Sequence, residues 1–241
     1  MEVDENVLPN TLVKTISVIN KPRGNFPMSC DVVSGNEAGV FYVVENDQRD
    51  CEIRVKHLLD FEKQSKYVLT IRLNAIGGVT GVSRLHTQVS INVQDKNDHK
   101  PQFIIPQRYA TLTGNRYLAA VSNDAPADSQ IIQLKATDND SLSNGAITYE
   151  LLPQSDPEGR FKIDPYTGIL RTSRPMEDIP HSQMPLKVTV VARDNPELLS
   201  SSLSQSVDVV INLIENRHRM ALVLKDTSTG RVQEMKENLL Q

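Results

Sequence analysis

Apolar side chains fall at every second position in several short stretches of this chain. They are residues 11–18 (TLVKTISV), 67–73 (YVLTIRL), 87–93 (TQVSINV), 130–134 (QIIQL), 186–191 (LKVTVV) and 206–213 (SVDVVINL). Successive side chains of an extended strand point to opposite faces, so this alternation describes strands with one face buried and the other in water. Each stretch is bounded by clusters of Pro, Gly, Asn or Asp, the residues that make turns. Many short strands punctuated in this way predict antiparallel β-sandwiches. With 241 residues, the chain is long enough for two domains of about 100 residues each. Aromatic residues make up only 5% and Trp is absent, which argues against a large aromatic-lined enzyme pocket.

Internal repetition points the same way. Gly35-Asn36-Glu37-Ala38-Gly39-Val40-Phe41 stands before a strand in the first half, and Asp156-Pro157-Glu158-Gly159-Arg160-Phe161 holds the corresponding place in the second. Leu58-Leu59-Asp60-Phe61-Glu62 precedes the stretch at 67–73 as Pro175-Met176-Glu177-Asp178 precedes that at 186–191. The seam between the halves is the acidic, Pro-bearing connector DKNDHKP at 95–101. The expected domains are therefore 1–99 and 100–217, two sandwiches of one plan. Residues 218–241 differ. The short apolar run MALVL (220–224) is followed by the cap residues Asp226, Thr227 and Ser228, then by Val232, Met235, Leu239 and Leu240 at helical spacing. They read as the strand and helix that begin a third, α+β domain, or as a tail.

The net charge of −4 is mild, and no basic patch interleaved with aromatics is present, so nucleic acid is not an expected partner. No run approaches the roughly 20 apolar residues that cross a bilayer. No signal peptide is visible, and Met1 reads as a start codon on an internal fragment, with any membrane anchor outside these residues. Cys30 and Cys51 both lie in the first half. A pair confined to one small β-rich domain reads as a disulfide in an oxidising compartment, with two buried free thiols as the other reading. Metal ligation by only two thiols is weaker.

Acidic residues are gathered in short clusters, and that layout suits a hard cation. Calcium takes six to eight oxygens from carboxylates, Asn side chains and backbone carbonyls. The first half offers Glu5, then Asp60 and Glu62, whose i, i+2 spacing sets both carboxylates on one side of an extended segment. The connector gives Asp95, Asn97 and Asp98. The second half gives Asp138 and Asp140, then Asp194. Each element alone has a bland reading as a solvated turn or a surface charge pair. Their joint occurrence around one seam is what carries the signal.

Val-Asp-Glu-Asn (3–6), Leu-Asp-Phe-Glu (59–62), Asp-Lys-Asn-Asp-His-Lys-Pro-Gln-Phe (95–103), Asp-Asn-Asp-Ser-Leu-Ser-Asn-Gly-Ala-Ile-Thr-Tyr (138–149) and Ala-Arg-Asp-Asn (192–195) resemble the calcium motifs of cadherin repeats, over residues 1 to about 217. The resemblance implies two tandem Greek-key, immunoglobulin-like sandwiches of seven strands, in line, with about three Ca2+ ions at their junction. It implies side-chain ligands at Glu5, Asp60, Glu62, Asp95, Asn97, Asp98, Asp138, Asp140 and Asp194. Backbone oxygens would come from Lys96, His99 and Asn144, with Gly145 permitting the tight loop beside Asn144 and the His99 ring incidental. Without metal these carboxylates repel one another. With calcium the pair of sandwiches is expected to be stiff under tension.

Departures from the pattern are equally specific. The first half reads Asn20-Lys21-Pro22-Arg23-Gly24-Asn25 and, near 73–78, Leu-Asn-Ala-Ile-Gly-Gly where a preceding junction would need carboxylates. The second reads Val121-Ser122-Asn123-Asp124, Met176-Glu177-Asp178-Ile179 and Ile214-Glu215-Asn216-Arg217-His218-Arg219. One calcium joint flanked by two metal-free ones is expected. This combination resembles the membrane-proximal end of long cadherins, where a last repeat leads without calcium into a ferredoxin-like domain. What that implies is an extracellular segment of a membrane-anchored protein in force-bearing or microvillar links. Other cadherin ectodomains would be its partners, homophilic or as a parallel dimer near the membrane.

Smaller features have bland readings. Asn139-Asp140-Ser141 matches the glycosylation pattern but overlaps the calcium loop, so no glycan is expected. Residues 108–116 (RYATLTGNR) read as a surface loop. The five His are scattered without metal-ligand spacing, which does not support zinc. The Ser residues at 200–206 have no visible base partner, so a hydrolase is not supported. The expected function is structural and adhesive, not catalytic. The alternative is a receptor segment that recognises a protein ligand independently of calcium.

Overall fold

The computed structural model describes residues 1–19, 28–76, 82–105, 114–177 and 179–215. The strand-helix start expected at 218–241 and most of the loop at 108–116 lie outside them. Among the described residues the chain is strands, with two short 3-10 turns at Pro153–Ser155 and His181–Gln183.

The first sandwich consists of β1 (Glu2–Asp4), β2 (Leu12–Ile16), β3 (Met28–Ser34), β4 (Phe41–Glu45), β5 (Cys51–Val55), β6 (Lys66–Ile76) and β7 (Val82–Gln94). One sheet has the order β1-β7-β6-β3 and the other β2-β5-β4. Only β4–β5 and β6–β7 are hairpins within a sheet. The other connections change sheets, which is the Greek-key pattern. β1 runs parallel to β7, with Glu2 opposite Asn92 and Asp4 opposite Gln94. The alternation is realised in the core: Cys51, Ile53 and Val55 of β5, Tyr67, Leu69 and Ile71 of β6, and Ile91 and Val93 of β7 are buried. Phe41 meets Tyr67 edge-on, with ring centroids 5.0 Å apart.

The second sandwich repeats the plan with β8 (Gln102–Phe103), β9 (Tyr117–Ser122), β10 (Gln130–Gln133), β11 (Ala136–Thr137), β12 (Thr148–Leu151), β13 (Phe161–Ile163), β14 (Ile169–Thr172), β15 (Leu186–Arg193) and β16 (Ser204–Ile214). Sheet β12-β15-β16-β9 matches β3-β6-β7-β1, and β10-β14-β13 matches β2-β5-β4. Parallel pairing recurs too, with Tyr117 opposite Val209 in β9 and β16. Among the described residues this sandwich shows nine strands rather than seven, with β10 and β11 standing where the first has the single strand β2. β8 pairs with β11 in a small separate sheet. Between β10 and β11 the chain turns Leu134 fully into the core.

The repeat read from sequence has a shared local geometry. The Asn36 side chain accepts from the Phe41 N–H and donates to the Phe41 carbonyl. Asp156 accepts from the N–H groups of Arg160 and Phe161. Gly39 and Gly159 close these turns at φ 68° and 60°, where a side chain is disfavoured. Leu59 and Met176 occupy matching places, 4% and 1% exposed.

Close contacts divide the chain into two compact units. The first holds Met1–Ile104, Lys135–Tyr149 and Val191–Ser206, and the second the described parts of Ile105–Leu134, Glu150–Val190 and Val207–Gln241. The core of the second includes Leu134, Phe161, Leu170, Met176, Val188, Val190, Val209 and Ile211. There Asp208 pairs with Lys187 Nζ at 2.8 Å and accepts from Thr189 Oγ1 at 3.0 Å. The Lys187 bond, more than Thr189, holds the Asp208 carboxyl below its usual range. A depressed folded pKa adds stability above the unfolded pKa that is lost as pH falls through the folded one. Because both side chains are partly exposed, Asp208→Asn should cost only about 0.5 kcal/mol at pH 6. Urea denaturation at pH 3 should show a smaller difference, and an equal one would contradict the linkage.

Cys30 and Cys51 form a disulfide with Cα atoms 5.9 Å apart. They sit on β3 and β5, in different sheets, so the bridge staples the two layers. A loop of 21 residues closed in this way constrains the unfolded chain by about 3 kcal/mol. Replacing both cysteines by Ser should lower the unfolding free energy by about that amount in denaturant titrations. A loss under about 0.5 kcal/mol would show that the unfolded chain is not held by the link.

Candidate metal centre

Every residue of the expected ligand set belongs to the first compact unit. Glu5 follows β1 and is 1% exposed. Its Oε2 accepts from the Phe61 N–H at 2.8 Å and its Oε1 from the Lys96 N–H at 2.6 Å. One buried carboxylate thus joins the 60–62 segment to the connector. Asp194, at the end of β15, is fully buried. Its Oδ1 accepts from Asn97 Nδ2 at 2.8 Å and from the Leu203 N–H at 2.7 Å. Asp95 accepts from the Ser141 N–H at 2.9 Å. Asp138 accepts from the Asp140 N–H at 3.1 Å.

Ligand atoms of Glu5, Glu62 and Asp95 lie within 4.8 Å of one another, as do those of Glu62, His99 and Asp140. Burial pushes the carboxyls of Glu62, Asp138 and Asp140 above their usual range. Neighbouring charges reinforce this, Glu5 and Asp95 acting on Glu62 and Asp194 on Asp138. Asp60 stands apart, since Lys63 holds it at 2.6 Å and lowers its pKa. Lys96 reaches Asp4 at 3.0 Å.

Asp95 Oδ1, Asn97 Oδ1, Asp138 Oδ2 and Asp194 Oδ2 are buried without a hydrogen-bond partner. They are the only buried side-chain oxygens so left among the described residues, and all four belong to the expected set. An unpaired buried oxygen costs about 1–3 kcal/mol, more when charged. Partnerless buried oxygens together with carboxylates held close to one another are a donor set that a hard cation takes. The residues fit calcium.

Several supports were not singled out in sequence. Asn6 donates to Asp98 at 3.2 Å, Asn195 to Asn144 Oδ1 at 3.0 Å, and Ser202 Oγ to the Asp194 carbonyl at 2.6 Å. Asn97 also donates to the Ser201 carbonyl. Asn6 and Asn195 lie inside motifs already quoted, whereas Ser201 and Ser202 look like an ordinary polar loop. The His99 ring is not incidental: its Nδ1 lies 2.7 Å from Asp140 and 2.8 Å from Asp98. Gly145 is required by a close approach, because a Cβ there would lie 2.1 Å from the Asp140 carbonyl oxygen.

In the second sandwich Asn123 takes the place of Glu5. Its N–H donates to the Ile214 carbonyl as the Glu5 N–H donates to Gln94. The other departures at 20–25, 77–78, 178 and 216–219 lie outside the described residues.

The cadherin-domain family model matches residues 117–214. Cadherin-99C of Drosophila melanogaster is 31% identical over 230 residues, covering 91% of this chain and 13% of that protein. The chain belongs to the cadherin superfamily. Protocadherin-15 of Gallus gallus is 28% identical over 232 residues, 93% of this chain and 11% of that protein. This cadherin therefore spans about an eighth of the length of the curated relatives it matches. A solved structure of mouse cadherin-23 EC22-24 superposes with TM-score 0.74 at 24% identity, covering 88% of this chain and 62% of that one. That likeness shows the fold, the immunoglobulin-like sandwich of cadherin repeats. Cadherins are adhesion proteins and not enzymes, and their ectodomains are extracellular. Among the described residues no helix is long and apolar enough to cross a membrane.

Proposed function

We propose that this cadherin segment is a calcium-clamped structural and adhesive element of an ectodomain, made of repeats at 1–99 and 100–217. The reading rests on the four partnerless buried oxygens of Asp95, Asn97, Asp138 and Asp194. Glu5, Asp60, Glu62, Asp95, Asn97, Asp98, Asp138, Asp140 and Asp194 would hold about three ions by their side chains. Lys96, His99 and Asn144 would contribute carbonyls. Calcium supplies the positive charge that lets these carboxylates share one place, and with it the connector becomes stiff.

The chain's own residues do the positioning. Glu5 fixes the connector through the N–H of Lys96, Asp194 fixes Asn97, and Ser202 fixes the Asp194 backbone. Asn123 in place of a carboxylate supports a metal-free joint beyond the second repeat. A rigid joint between looser ones suits transmission of force along a filament near a membrane, with other cadherin ectodomains as partners.

Thermal unfolding and small-angle scattering with calcium and with EGTA test this. Calcium should raise the melting temperature and give one extended, rigid shape that chelation abolishes. Identical curves and shapes would reduce the acidic seam to a solvated linker. Adhesive binding that survives chelation would favour a calcium-independent receptor instead.

A further inference from the structure

Calcium has no use for a nitrogen ligand, yet an imidazole stands inside the acidic cluster. His99 Nδ1 lies 2.7 Å from Asp140 Oδ1 and 2.8 Å from Asp98 Oδ1. The His99 N–H also donates to Asp140 Oδ2 at 3.2 Å, so ring and backbone grip both oxygens of one carboxylate. The Asp140 side chain is 0% exposed, which leaves water no part in balancing its charge. A ring nitrogen of His99, an oxygen of Glu62 and an oxygen of Asp140 all fall within 4.8 Å of one another. Asp138, two residues before Asp140, has its Oδ2 buried without a partner. The nearby lysines are occupied elsewhere, Lys63 on Asp60 and Lys96 on Asp4.

One imidazole nitrogen with two or three carboxylate oxygens is a donor set for a borderline cation, whose bonds to such atoms run about 2.0–2.2 Å. Ligand atoms around a tetrahedral centre of that size stand roughly 3.3 Å apart. The His99 contacts with Asp140 and Asp98, at 2.7 and 2.8 Å, need to open by only about half an ångström to admit one, with the Glu62 oxygen within 4.8 Å. In sequence the histidines show no ligand spacing. The fold makes a site around one of them by bringing Glu62 and Asp140 to it from distant segments.

We propose that Glu62, His99 and Asp140 form a site for a borderline divalent cation of the Zn2+ class, which competes with calcium for Glu62 and Asp140. The competition, though not the zinc site itself, rests on the calcium reading above. Zinc entering here takes two carboxylates from the calcium set, so it acts as an antagonist of the clamp.

The test is calorimetric titration of the 241-residue chain with ZnCl2, with and without calcium, and with Co2+ as a visible-absorption probe of nitrogen-bearing, four-coordinate sites. The variants are His99→Asn, which keeps the backbone carbonyl, Glu62→Gln, which keeps the size of the side chain, and His86→Asn as a remote control. The wild type should bind zinc, calcium should raise the apparent Kd, and Co2+ should give an intense visible band. His99→Asn should weaken zinc binding at least about tenfold and lose the band, while its calcium titration stays within about twofold. Glu62→Gln should weaken both metals and His86→Asn neither.

Zinc binding unchanged in His99→Asn overturns the site, whatever calcium does. Zinc binding that depends on His99 but is indifferent to calcium overturns the competition. If calcium fails to bind while zinc binds through His99, the clamp reading falls and the zinc site stands. Retained calcium stabilisation of His99→Asn confirms that the variant is folded.

Discussion

Asp194→Asn should leave the metal-free protein as stable as the wild type while removing most of what calcium adds. The substituted side chain keeps an oxygen for the Asn97 amide and the Leu203 N–H, the two bonds Asp194 Oδ1 accepts. What it loses is the charge and the fully buried, partnerless Oδ2. In EGTA the change should therefore be within about 0.5 kcal/mol. With calcium at about a hundred times its Kd, one bound ion contributes about 2.7 kcal/mol, and this increment should vanish. Parallel thermal melts with calcium and with EGTA measure both halves. An equal loss in the two conditions would make Asp194 a structural hydrogen-bond acceptor with no part in metal binding. Asp194→Ala is the harsher comparison, because it also strands the Leu203 N–H and should cost about 1–3 kcal/mol even without metal.

The second large effect is at Gly35, just beyond β3. A Cβ there would lie 1.9 Å from the Val68 carbonyl oxygen and 2.7 Å from its carbon, and the residue has φ +83°. Both neighbours are backbone of β6, the strand paired with β3, so nothing flexible can give way. Gly35→Ala should cost roughly 3 kcal/mol or more, the left-handed penalty of about 1–2 kcal/mol plus the overpacking of a core sheet. Gly39 provides the control. It has φ +68° and nothing within 4 Å of a Cβ, so Gly39→Ala should cost only about 1 kcal/mol. Denaturant midpoints of the two variants decide the matter, and equal losses would show that close approach to β6 is not what Gly35 serves.

The division between these two glycines illustrates what was legible in the chain. Both stand in the stretch 35–41 that the repeat comparison singled out, and both read as turn residues. Which one faces empty space and which one meets β6 depends on β6, some thirty residues further along. The disulfide is similar. Its two cysteines were evident, but that they staple β3 to β5 across the two sheets follows only from the Greek-key crossover.

The alternation of apolar residues, the turn clusters and the doubled Gly-Val-Phe and Gly-Arg-Phe segments determined the all-β sandwich and its repetition. They could do so because strand periodicity and turn chemistry are local properties of the backbone. The acidic motifs likewise named the candidate ligands, since a hard cation needs oxygens whatever the fold. Tertiary structure alone decided which oxygens lack partners, that Lys63 holds Asp60, that Ser201 and Ser202 brace Asn97 and Asp194, and that the His99 ring lies against Asp140. The Lys63 contact spans three residues and that of Ser202 with Asp194 eight. The contacts of Ser201 with Asn97, of Asn97 with Asp194 and of His99 with Asp140 need segments dozens of residues apart to meet within a few ångströms. Burial, which sets the cost of an unpaired charge, exists only once they have met.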